Sequence, residues 1–517
     1  MNMSNEQLIA ELKKHFGFTH FRTGQQEIIQ DLMAGQDVLG ILPTGTGKSL
    51  CYQLPAMCQE GITIVVSPLL SLMVDQVKQL KAKGFKRVVA VNSLLDRQQK
   101  NAIMKHLHQY KLIYCSPEML QNEFFLNRLT SLRISLFVVD EAHCISQWGH
   151  EFRTDYLKLN DVIKQLNHPT VLALSATATP QVQDDISYYL DKPNIRKRVF
   201  QMDRPNIAFA VEVVDHWQDK INRIVQILTE KPVPTMIYFS SRNWCEMTSE
   251  TLKNQLKHLR IAFYHGGMDT EDRLLIQQQF MSNQLDVICC TSAFGMGVDK
   301  QNIRLVIHFH LPAQIESFIQ EVGRAGRDGL QSVSLSLYAK GDEQIPLAFI
   351  EQELPTQRQT EHFYQYFSKK ESLSNVDDET QDILMEHLQL NETQWRFLQY
   401  QLNQHHLAIV EEQEENWRKA FQNTLELIKQ RTSHKMNKLF ELMNWFEHKG
   451  CKRESLYEVF QDGFQRPDQF CCDYCDFTFE QWNPETIQRV QENNHWQAEL
   501  RRLFHREELD EETVKSS

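Results

Sequence analysis

Short apolar runs alternate with amphipathic stretches through the first 345 residues of the chain. The first series of runs lies at residues 62–66, 87–91, 111–115, 134–139 and 171–174. A second series lies at residues 235–239, 261–264, 286–290, 304–309 and 332–338. Strands that alternate with helices are typical of a doubly wound parallel sheet, because each crossover between parallel strands needs a connection long enough for a helix. The pattern therefore predicts an α/β fold with two such sheets.

The pattern changes after the second series. Residues 377–388 and 393–404 each have helical periodicity, and Asn391, with Gln394 three positions later, is suited to cap the second helix. A short apolar run at residues 407–410 predicts a strand. Helix, turn, helix and strand in this order outline a winged helix, and a plain helical hairpin explains the two helices equally well.

Composition changes this picture little. Hydrophobic residues make up 41% of the chain, which suffices for packed cores. No apolar run approaches the roughly 20 residues that span a bilayer, and the N-terminus has no signal-peptide pattern. We therefore expect a cytoplasmic protein that has no membrane partner. The net charge of −12 gives no support for nucleic-acid binding, since nucleic-acid-binding domains are typically basic.

A glycine-rich turn at residues 43–49 follows the apolar run 38–42. Backbone N–H groups of such a turn, with the N-terminus of the next helix, form a site for phosphate. Lys48 can reach the β- and γ-phosphates of a nucleoside triphosphate, and the Ser49 hydroxyl can bind Mg²⁺. Leu42 stands where the first glycine of the common pattern would be, so an ordinary strand–turn–helix corner is the alternative. We predict a triphosphate site formed by Thr44, Gly45, Thr46, Gly47, Lys48 and Ser49.

Two carboxylates, Asp140 and Glu141, follow the apolar run 134–139. In an open parallel sheet the ligand crevice lies outside the carboxyl ends of the strands. Asp140 is therefore a candidate ligand of Mg²⁺, and Glu141 is a candidate for polarising the water that attacks the γ-phosphate. Alone, the pair is equally consistent with acidic residues at a strand end. Together with the Lys48 turn, it indicates a nucleotidase.

Residues 320–329 contain two arginines that are three positions apart and framed by glycines. Arginine suits phosphate recognition, because its guanidinium group is planar, permanently charged and able to bind bidentately. We predict that Gln320, Arg324 and Arg327 act on the triphosphate from a second lobe, as an arginine finger does. The alternative for this segment is a solvated basic loop.

These motifs resemble those of superfamily 2 helicases and, within them, the RecQ family of DNA helicases. Residues 16–25 are similar to the adenine-recognition segment of that family, which implies that Phe18 stacks on the base and that Arg22 and Gln25 contact the adenine and its surroundings. Residues 67–73, including Ser67, are similar to a single-strand contact motif. The resemblance covers roughly residues 8–345 and 431–476.

The resemblance also implies the path of the nucleic acid. Residues 146–153 match an aromatic-rich loop, and residues 291–300, beginning with Thr291, are close to a further motif of the family. Because the loop directly follows the carboxylates, we expect Trp148, Phe152 and Arg153 to contact a single strand and to transmit its presence to them. The alternative is that both rings are buried in the core of the first lobe. Arg242 and His265, which follow strands, are further candidates for phosphate contacts.

Four of the 11 cysteines lie close together near the C-terminus. Thiols in a cytosolic protein favour metal binding over disulfides. The resemblance implies a structural Zn²⁺ here, although Gln469 stands at one ligand position of the family pattern and Cys471 is its replacement. Zinc with a different fourth ligand, and no metal, are the alternatives. We predict a site formed by Cys451, Cys471, Cys472 and Cys475.

The expected architecture is two RecA-like lobes and a mostly helical zinc-binding region. The predicted domains are lobe 1 at 1–202, lobe 2 at 203–345, a helical insertion at 346–425, a zinc-binding domain at 426–482 and a partly disordered tail at 483–517. The insertion contains the segment for which a winged helix and a plain helical hairpin are the two alternatives.

The resemblance further implies an ATP-dependent DNA helicase that moves 3′→5′ along single strands, acts on single-stranded and branched DNA, and takes part in repair or recombination. The family's usual C-terminal accessory domains are not recognisable in this sequence, so we expect a shortened member with altered duplex engagement. An RNA-directed helicase and a nucleic-acid-binding protein with reduced catalysis are the alternatives. The sequence does not identify protein partners.

Overall fold

Two parallel β-sheets form the centres of two consecutive lobes. The computed structural model describes residues 3–92, 95–148, 152–294, 300–368, 378–404, 414–461 and 466–487. All of the pairs between named strands are parallel, which confirms the predicted α/β architecture. Most strands are buried, as expected when helices cover both faces of a parallel sheet.

The sheet of lobe 1 has seven strands in the order β3-β4-β2-β5-β6-β1-β7. Its strands are β1 (Val38–Ile41), β2 (Ile62–Val66), β3 (Val88–Val91), β4 (Leu112–Cys115), β5 (Ile134–Val139), β6 (Thr170–Ser175) and β7 (Arg196–Val199). The α-helices of this lobe are α1 (Asn5–Phe16), α2 (Gln25–Met33), α3 (Leu50–Cys58), α4 (Leu70–Ala82), α5 (Arg97–Lys105), α6 (Glu123–Thr130), α7 (Leu159–Gln165) and α8 (Pro180–Tyr189).

The sheet of lobe 2 has six strands in the order β10-β11-β9-β12-β13-β8. Its strands are β8 (Ile207–Val214), β9 (Thr235–Tyr238), β10 (Ile261–Tyr264), β11 (Val287–Cys290), β12 (Leu305–His308) and β13 (Ser332–Ala339). Its α-helices are α9 (Trp217–Glu230), α10 (Arg242–Gln255), α11 (Thr270–Met281) and α12 (Ile315–Val322).

Two edge strands were absent from the sequence prediction. β7 has the sequence Arg-Lys-Arg-Val and is largely exposed, so it has no apolar run, and it joins the sheet by pairing with β1. β8 follows the junction between the lobes and pairs with β13 along its whole length, from Ile207 opposite Ser332 to Val214 opposite Ala339. β8 therefore begins lobe 2 at the edge of its sheet.

The described residues after lobe 2 are mostly helical. The helices are α13 (Gln344–Glu353), α14 (Gln357–Phe367), α15 (Asp378–Leu388), α16 (Glu392–Gln404), α17 (Glu414–Glu447) and α18 (Lys452–Tyr457). The predicted cap before α16 is confirmed, because Gln394 N–H donates to Asn391 Oδ1 over 2.9 Å and Asn391 N–H donates to Gln394 Oε1 over 3.1 Å. The strand predicted at 407–410 lies outside the described residues.

Helix α17 connects the helical insertion to the cysteine-containing region. It contains 34 residues and runs through the boundary predicted at 425/426, so the two regions share one continuous helix. Its Lys438 lies 3.6 Å from Glu316 of α12, and its Lys435 pairs with Glu353 of α13. The helix is thereby attached to lobe 2. Among the described residues, no helix is long and apolar enough to cross a membrane.

Candidate functional site

The phosphate loop lies between the end of β1 and the start of α3. Gly45 and Gly47 have φ angles of +83° and +76°, a region that glycine enters without steric cost. Leu42, which replaces the first glycine of the common pattern, is fully buried in the core of lobe 1. The departure from the pattern is therefore accommodated by packing, while the two later glycines form the turn around Lys48.

The predicted adenine-recognition residues lie directly beside this loop. Arg22 Nη1 donates to the Gly45 carbonyl over 2.7 Å. Gln25 Nε2 donates to the carbonyls of Thr46 and Gly47 over 2.7 and 3.0 Å. Phe18 is 50% exposed, so one aromatic surface is available for a base. Arg22 and Gln25 thus hold the loop itself, and their contact with adenine stays a prediction.

Asp140 follows β5 and is held at the sheet edge by two main-chain contacts. Its N–H donates to the Val66 carbonyl over 2.9 Å, and its carbonyl accepts a hydrogen bond from the Tyr156 hydroxyl over 3.0 Å. Burial and the neighbouring Glu141 raise the pKa of the Asp140 carboxyl above its usual range, while the positive charge of Lys48 opposes that shift. The carboxylate and the ammonium group therefore belong to one electrostatic site.

A chain of polar contacts runs from Glu141 in lobe 1 to lobe 2. Glu141 has a φ angle of +48°, a strained conformation for a residue with a side chain. Its Oε2 lies 3.5 Å from His143 Nδ1 and has no hydrogen-bond partner among the described residues. His143 Nδ1 is also 2.9 Å from Ser175 Oγ, which donates to the Thr177 carbonyl over 2.9 Å. Gln320 Nε2 of lobe 2 donates to Thr177 Oγ1 over 3.3 Å. Hydrogen bonds thus connect His143 with Gln320 across the cleft, and the candidate catalytic carboxylate lies beside the His143 end of this series.

The protonation state of His143 determines the nature of its contact with Glu141. Burial lowers the pKa of His143 to about 3, and the charges of Lys48 and Arg153 act in the same direction. The imidazole is therefore neutral near pH 7, and its proximity to the carboxylate is a polar contact and not an ion pair.

Both predicted arginines of lobe 2 lie near the cleft. Arg324 is 6% exposed and adjoins Tyr238, where its charge opposes the rise in pKa that burial causes for the hydroxyl. Arg327 lies against the phosphate loop, since a Cβ added to Gly45 would be 3.0 Å from Arg327 Cγ. The aliphatic part of the Arg327 side chain therefore packs on the loop that would hold the triphosphate.

Arg204 joins the same two segments, and the motifs of the sequence did not single it out as a site residue. Its Nη1 donates to the carbonyls of Gly323 and Thr44 over 3.1 and 3.4 Å. Its Nη2 donates to the Ala325 carbonyl over 3.2 Å and to the Gly326 carbonyl. No sequence pattern predicts these hydrogen bonds, because the main-chain carbonyl of any residue can accept them.

The aromatic-rich loop contacts the C-terminal region. The ring of Trp148 lies 5.0 Å from the ring of His434 in α17, in an edge-to-face arrangement. The guanidinium carbon of Arg431, one turn earlier in α17, is 4.4 Å from the centroid of Phe152. Both rings are partly buried, and their contact with a nucleic acid stays a prediction. Residues 149–151 of the loop lie outside the described residues.

The other predicted nucleic-acid contacts of lobe 1 differ in accessibility. Arg153 is partly exposed and lies 3.9 Å from Glu118. Ser67 is 1% exposed, and its hydroxyl is buried without a hydrogen-bond partner among the described residues. A nucleic-acid contact by Ser67 would require the segment after β2 to open, and it stays a prediction.

Three predicted contacts of lobe 2 follow neighbouring strands. Arg242 is exposed and packs beside Gly267, where an added Cβ would be 3.0 Å from its Nη1. His265 is 5% exposed; Gly267 N–H donates to its Nδ1 over 3.2 Å, and its Nε2 lies 2.6 Å from Glu246. Thr291 is partly buried, and residues 295–299 of its motif lie outside the described residues. Of the three, Arg242 is the most available to a phosphate.

The four predicted zinc ligands converge. The sulfur atoms of Cys451, Cys471, Cys472 and Cys475 all lie within 4.8 Å of one another. Tetrahedral zinc with Zn–S bonds of about 2.3 Å requires sulfurs about 3.8 Å apart, and Cys451 Sγ is 3.6 Å from Cys471 Sγ. Hydrogen bonding from the Cys471 thiol lowers the pKa of Cys472 below its usual range, which favours a thiolate. The donor set therefore fits Zn²⁺.

The fold of the segment explains how adjacent cysteines reach one site. Phe470 has a φ angle of +58°, and after it the chain pairs with β8, where Phe209 N–H donates to the Cys471 carbonyl over 3.3 Å. Cys475 N–H donates to the Cys472 carbonyl over 3.0 Å, closing a tight turn. The fully buried Arg453 donates to the carbonyl of Cys471 over 3.5 Å and pairs with Asp203.

Comparisons with family models agree with the two-lobe arrangement. Residues 22–186 match the model of the DEAD/DEAH box helicase, and residues 219–329 match the model of the helicase conserved C-terminal domain. The Lhr helicase of Mycobacterium smegmatis, solved with single-stranded DNA and AMP-PNP, superposes with a TM-score of 0.55 at 21% identity over 76% of this chain and 57% of that chain. This likeness establishes the fold.

Similarity to known protein sequences identifies the family. The probable ATP-dependent DNA helicase RecS of Bacillus subtilis is 41% identical over 500 residues, which cover 95% of this chain and 97% of that protein. The ATP-dependent DNA helicase RecQ of Haemophilus influenzae is 42% identical over 335 residues, which cover 65% of this chain and 54% of that protein. The chain belongs to the RecQ family of superfamily 2 helicases.

Proposed function

We propose that this ATP-dependent DNA helicase hydrolyses ATP between its two lobes and uses the cycle to move 3′→5′ along single-stranded DNA. The observation that carries the proposal is the meeting of Arg327 and Gly323 of lobe 2 with the phosphate loop of lobe 1. A triphosphate bound there would touch both lobes at once. Its hydrolysis would remove a bridge between them, and the lobes could then separate.

The proposed chemistry assigns separate roles around the triphosphate. Lys48 and the N–H groups of the loop bind the β- and γ-phosphates, and Glu141 orients the attacking water. Ser49 and Asp140 would hold Mg²⁺, which neutralises phosphate charge when it is bound. Arg324 and Arg327 contact the γ-phosphate from lobe 2, and Phe18 covers the adenine.

The polar chain from Glu141 to Gln320 supports a coupling between chemistry and lobe position. Gln320 reaches Thr177 only when the lobes are close, and Thr177 is connected through Ser175 and His143 to Glu141. We propose that closure of the cleft fixes the carboxylate in its working orientation. Water would then be activated only in the closed state.

The DNA is proposed to cross both lobes on the side of the aromatic-rich loop. Trp148 and Phe152 would stack on bases, while Arg153, Arg242 and the loop containing Thr291 would contact phosphates. His265 and Ser67 are less accessible to DNA, because His265 Nε2 lies 2.6 Å from Glu246 and Ser67 is buried. Such contacts do not depend on base sequence, which suits a translocating enzyme.

We further propose that the four cysteines bind one structural Zn²⁺ and that the physiological substrates include branched DNA in repair or recombination. The zinc proposal is supported by the convergence of the four sulfur atoms. The proposed domains keep the boundaries predicted from the sequence, with α17 shared by the helical insertion and the zinc-binding domain.

The test compares ATP hydrolysis and strand displacement across matched nucleic acids. We expect single-stranded DNA to stimulate hydrolysis strongly and single-stranded RNA of the same sequence to do so weakly. Duplexes with a 3′ single-stranded tail and forked duplexes should be unwound, whereas duplexes with a 5′ tail and blunt duplexes should not. Stimulation by RNA alone, or unwinding from the 5′ tail alone, would contradict the proposal, and Lys48→Ala provides the inactive control.

A further inference from the structure

A cavity of about 530 Å³ lies where lobe 1, lobe 2 and the C-terminal helices meet. Phe152 and Arg153 of the aromatic-rich loop line one side, Ser292 and Ala293 of lobe 2 line another, and Arg431 of α17 contributes to the third. Its volume lies within the roughly 300–1,000 Å³ that is typical of ligand sites. The cavity therefore continues the proposed DNA path into a part of the chain that the motor motifs do not include.

Most of the charges in the cavity wall neutralise one another. Three of its four carboxylates belong to a cluster around Arg396, which lies 3.4 Å from Glu118, 3.4 Å from Asp155 and 2.5 Å from Glu392. The fourth carboxylate, Glu353, pairs with Lys435, one turn after Arg431 in α17. Each of these carboxylates therefore lies within ion-pair distance of a cation other than Arg431, although the charge of Glu353 also favours the charged form of Arg431.

Arg431 differs from the other cations of the wall. It is 3% exposed, and its Nε has no hydrogen-bond partner among the described residues. Its guanidinium carbon lies 4.4 Å from the centroid of Phe152 and 5.6 Å from that of Phe397. Burial lowers the pKa of Arg431 only to about 10, so the group remains charged at neutral pH. Aromatic faces compensate part of a buried charge, but they do not satisfy its hydrogen-bond donors.

A bound oxyanion would supply the hydrogen-bond acceptor and the negative charge that the guanidinium group of Arg431 lacks. A phosphate oxygen accepts hydrogen bonds from arginine and balances its charge, and a guanidinium group can bind phosphate in a bidentate manner. The cavity opens beside Arg153 and next to the segment that follows Thr291, where the DNA backbone is proposed to pass. A phosphate that approaches Arg431 would also bring its base close to Phe152.

We propose that Arg431 binds a backbone phosphate of the translocating single strand, so that α17 forms a third wall of the DNA site. This inference rests on the proposed passage of DNA over the aromatic-rich loop. It adds a binding residue from the C-terminal region to those of the two lobes. Arg431 also packs on Phe152. A phosphate bound to Arg431 would therefore act directly on the aromatic-rich loop, which adjoins Asp140 and Glu141.

The test measures the affinity for single-stranded DNA over a range of salt concentrations. Each phosphate contact on a single strand contributes about 0.7 to the slope of log Kd against log salt concentration. We expect Arg431→Met to reduce this slope by about 0.7 and to weaken binding about 10-fold at low salt. Arg431→Lys, which keeps the charge, should restore most of the slope. Lys429→Gln removes an exposed cation of the same helix and should leave the slope unchanged.

Packing and phosphate binding give different results in these variants. If Arg431 serves only to pack between rings, Arg431→Met will lower the thermal midpoint or leave it unchanged while the salt slope stays at the wild-type value, and the proposal is then wrong. A slope reduced equally in Arg431→Met and Lys429→Gln would also overturn it, since the effect would then follow net charge alone. If the wild-type protein neither binds single-stranded DNA nor responds to it, the proposed function itself fails.

Should Arg431→Met not fold, the comparison of wild type with Arg431→Lys and Arg431→Gln decides the question by the same measurement. Phosphate binding predicts a slope that is near wild type for lysine and reduced for glutamine. Equal slopes in both variants would contradict the proposal.

Discussion

The hydroxyl of Thr44 donates to the carbonyl of Gly323 over 3.0 Å, and this contact joins the phosphate loop of lobe 1 to the arginine-bearing segment of lobe 2. The approach is so close that a Cβ added to Gly323 would lie 1.8 Å from Thr44 Oγ1. Arg204 donates to the main chain of both residues. Glycine at this position is therefore required by the closed arrangement of the lobes and not by the local backbone.

We expect Gly323→Ala to prevent full closure of the cleft. ATP binding should persist, because Lys48 and the loop are intact, but turnover should fall about 100-fold, as displaced catalytic groups commonly cause. Gly266→Ala is the matched control, because its backbone lies outside the left-handed region and an added methyl group there comes no closer than 3.9 Å to another atom. Measurements of equilibrium nucleotide binding and of steady-state hydrolysis distinguish an effect on ATP binding from an effect on turnover. Wild-type turnover in Gly323→Ala would show that the lobes need not meet in this way.

Lys48→Ala and Glu141→Gln should affect different steps of hydrolysis. Loss of the Lys48 charge should weaken nucleotide binding and abolish turnover, whereas Glu141→Gln should retain ATP and fail to hydrolyse it. Both proteins should keep their thermal midpoint, since these residues lie at the cleft. DNA-stimulated hydrolysis at the wild-type rate in Lys48→Ala would refute the assignment of the phosphate loop.

The contacts of Trp148 and Phe152 with α17 predict a specific loss of coupling. Trp148→Ala and Phe152→Ala should weaken binding of single-stranded DNA about 5- to 10-fold and remove most of its stimulation of hydrolysis, while basal hydrolysis persists. Parallel assays with and without DNA give the ratio of DNA-stimulated to basal hydrolysis directly. A fall in basal hydrolysis together with a thermal midpoint lower by several degrees would instead indicate that the rings only stabilise the fold.

Metal analysis tests the cysteine cluster. Purified protein should contain about one Zn²⁺ per chain, and both Cys471→Ser and Cys472→Ser should lose it, because all four sulfur atoms converge. Cys58→Ser, at a partly buried thiol outside the cluster, should retain the metal. Retention of zinc by Cys471→Ser would leave the ion with a different fourth ligand, and absence of zinc from wild type would refute the site.

His310 predicts a dependence of stability on pH. Burial lowers its pKa to about 3 in the folded protein, from an ordinary value near 6.5, and the charge of Lys220 adds to the shift. The unfolded chain therefore binds a proton between these two values that the folded protein does not bind, so stability falls as the pH is lowered below about 6.5. We expect a loss of about 1 kcal/mol between pH 7 and pH 5.5 from this group.

Chemical denaturation at the two pH values, in wild type and in His310→Gln, measures this contribution. The variant should lose less stability on acidification by about that amount, whatever its absolute stability. An equal loss in the two proteins would mean that His310 is protonated in the folded state or is exposed to solvent.

The sequence predicted those parts of the fold that local patterns encode. The phosphate loop, the carboxylates after β5 and the cap at Asn391 are each set by neighbouring residues, and the structure has the loop, the strand end and the cap where they were expected. β7 was not predicted, because it is a largely exposed edge strand and has no apolar run in its sequence. The roles of Arg204 and Arg431 could not be predicted, since a single arginine carries no local information about which distant carbonyls or rings will surround it.

The ion pair between Arg453 and Asp203 has a consequence for the way this enzyme can be divided. Arg453 is fully buried and also donates to the carbonyls of Arg204 and Ile207. The cysteine-containing region is therefore bonded to the chain at the junction between the two lobes. A fragment that ends after lobe 2 would lose this ion pair and these hydrogen bonds, and it would expose the junction of the lobes that Arg453 now covers. The two lobes of this helicase are therefore not an autonomous motor to which a C-terminal domain has been appended, and the smallest unit expected to fold well includes the residues that follow them.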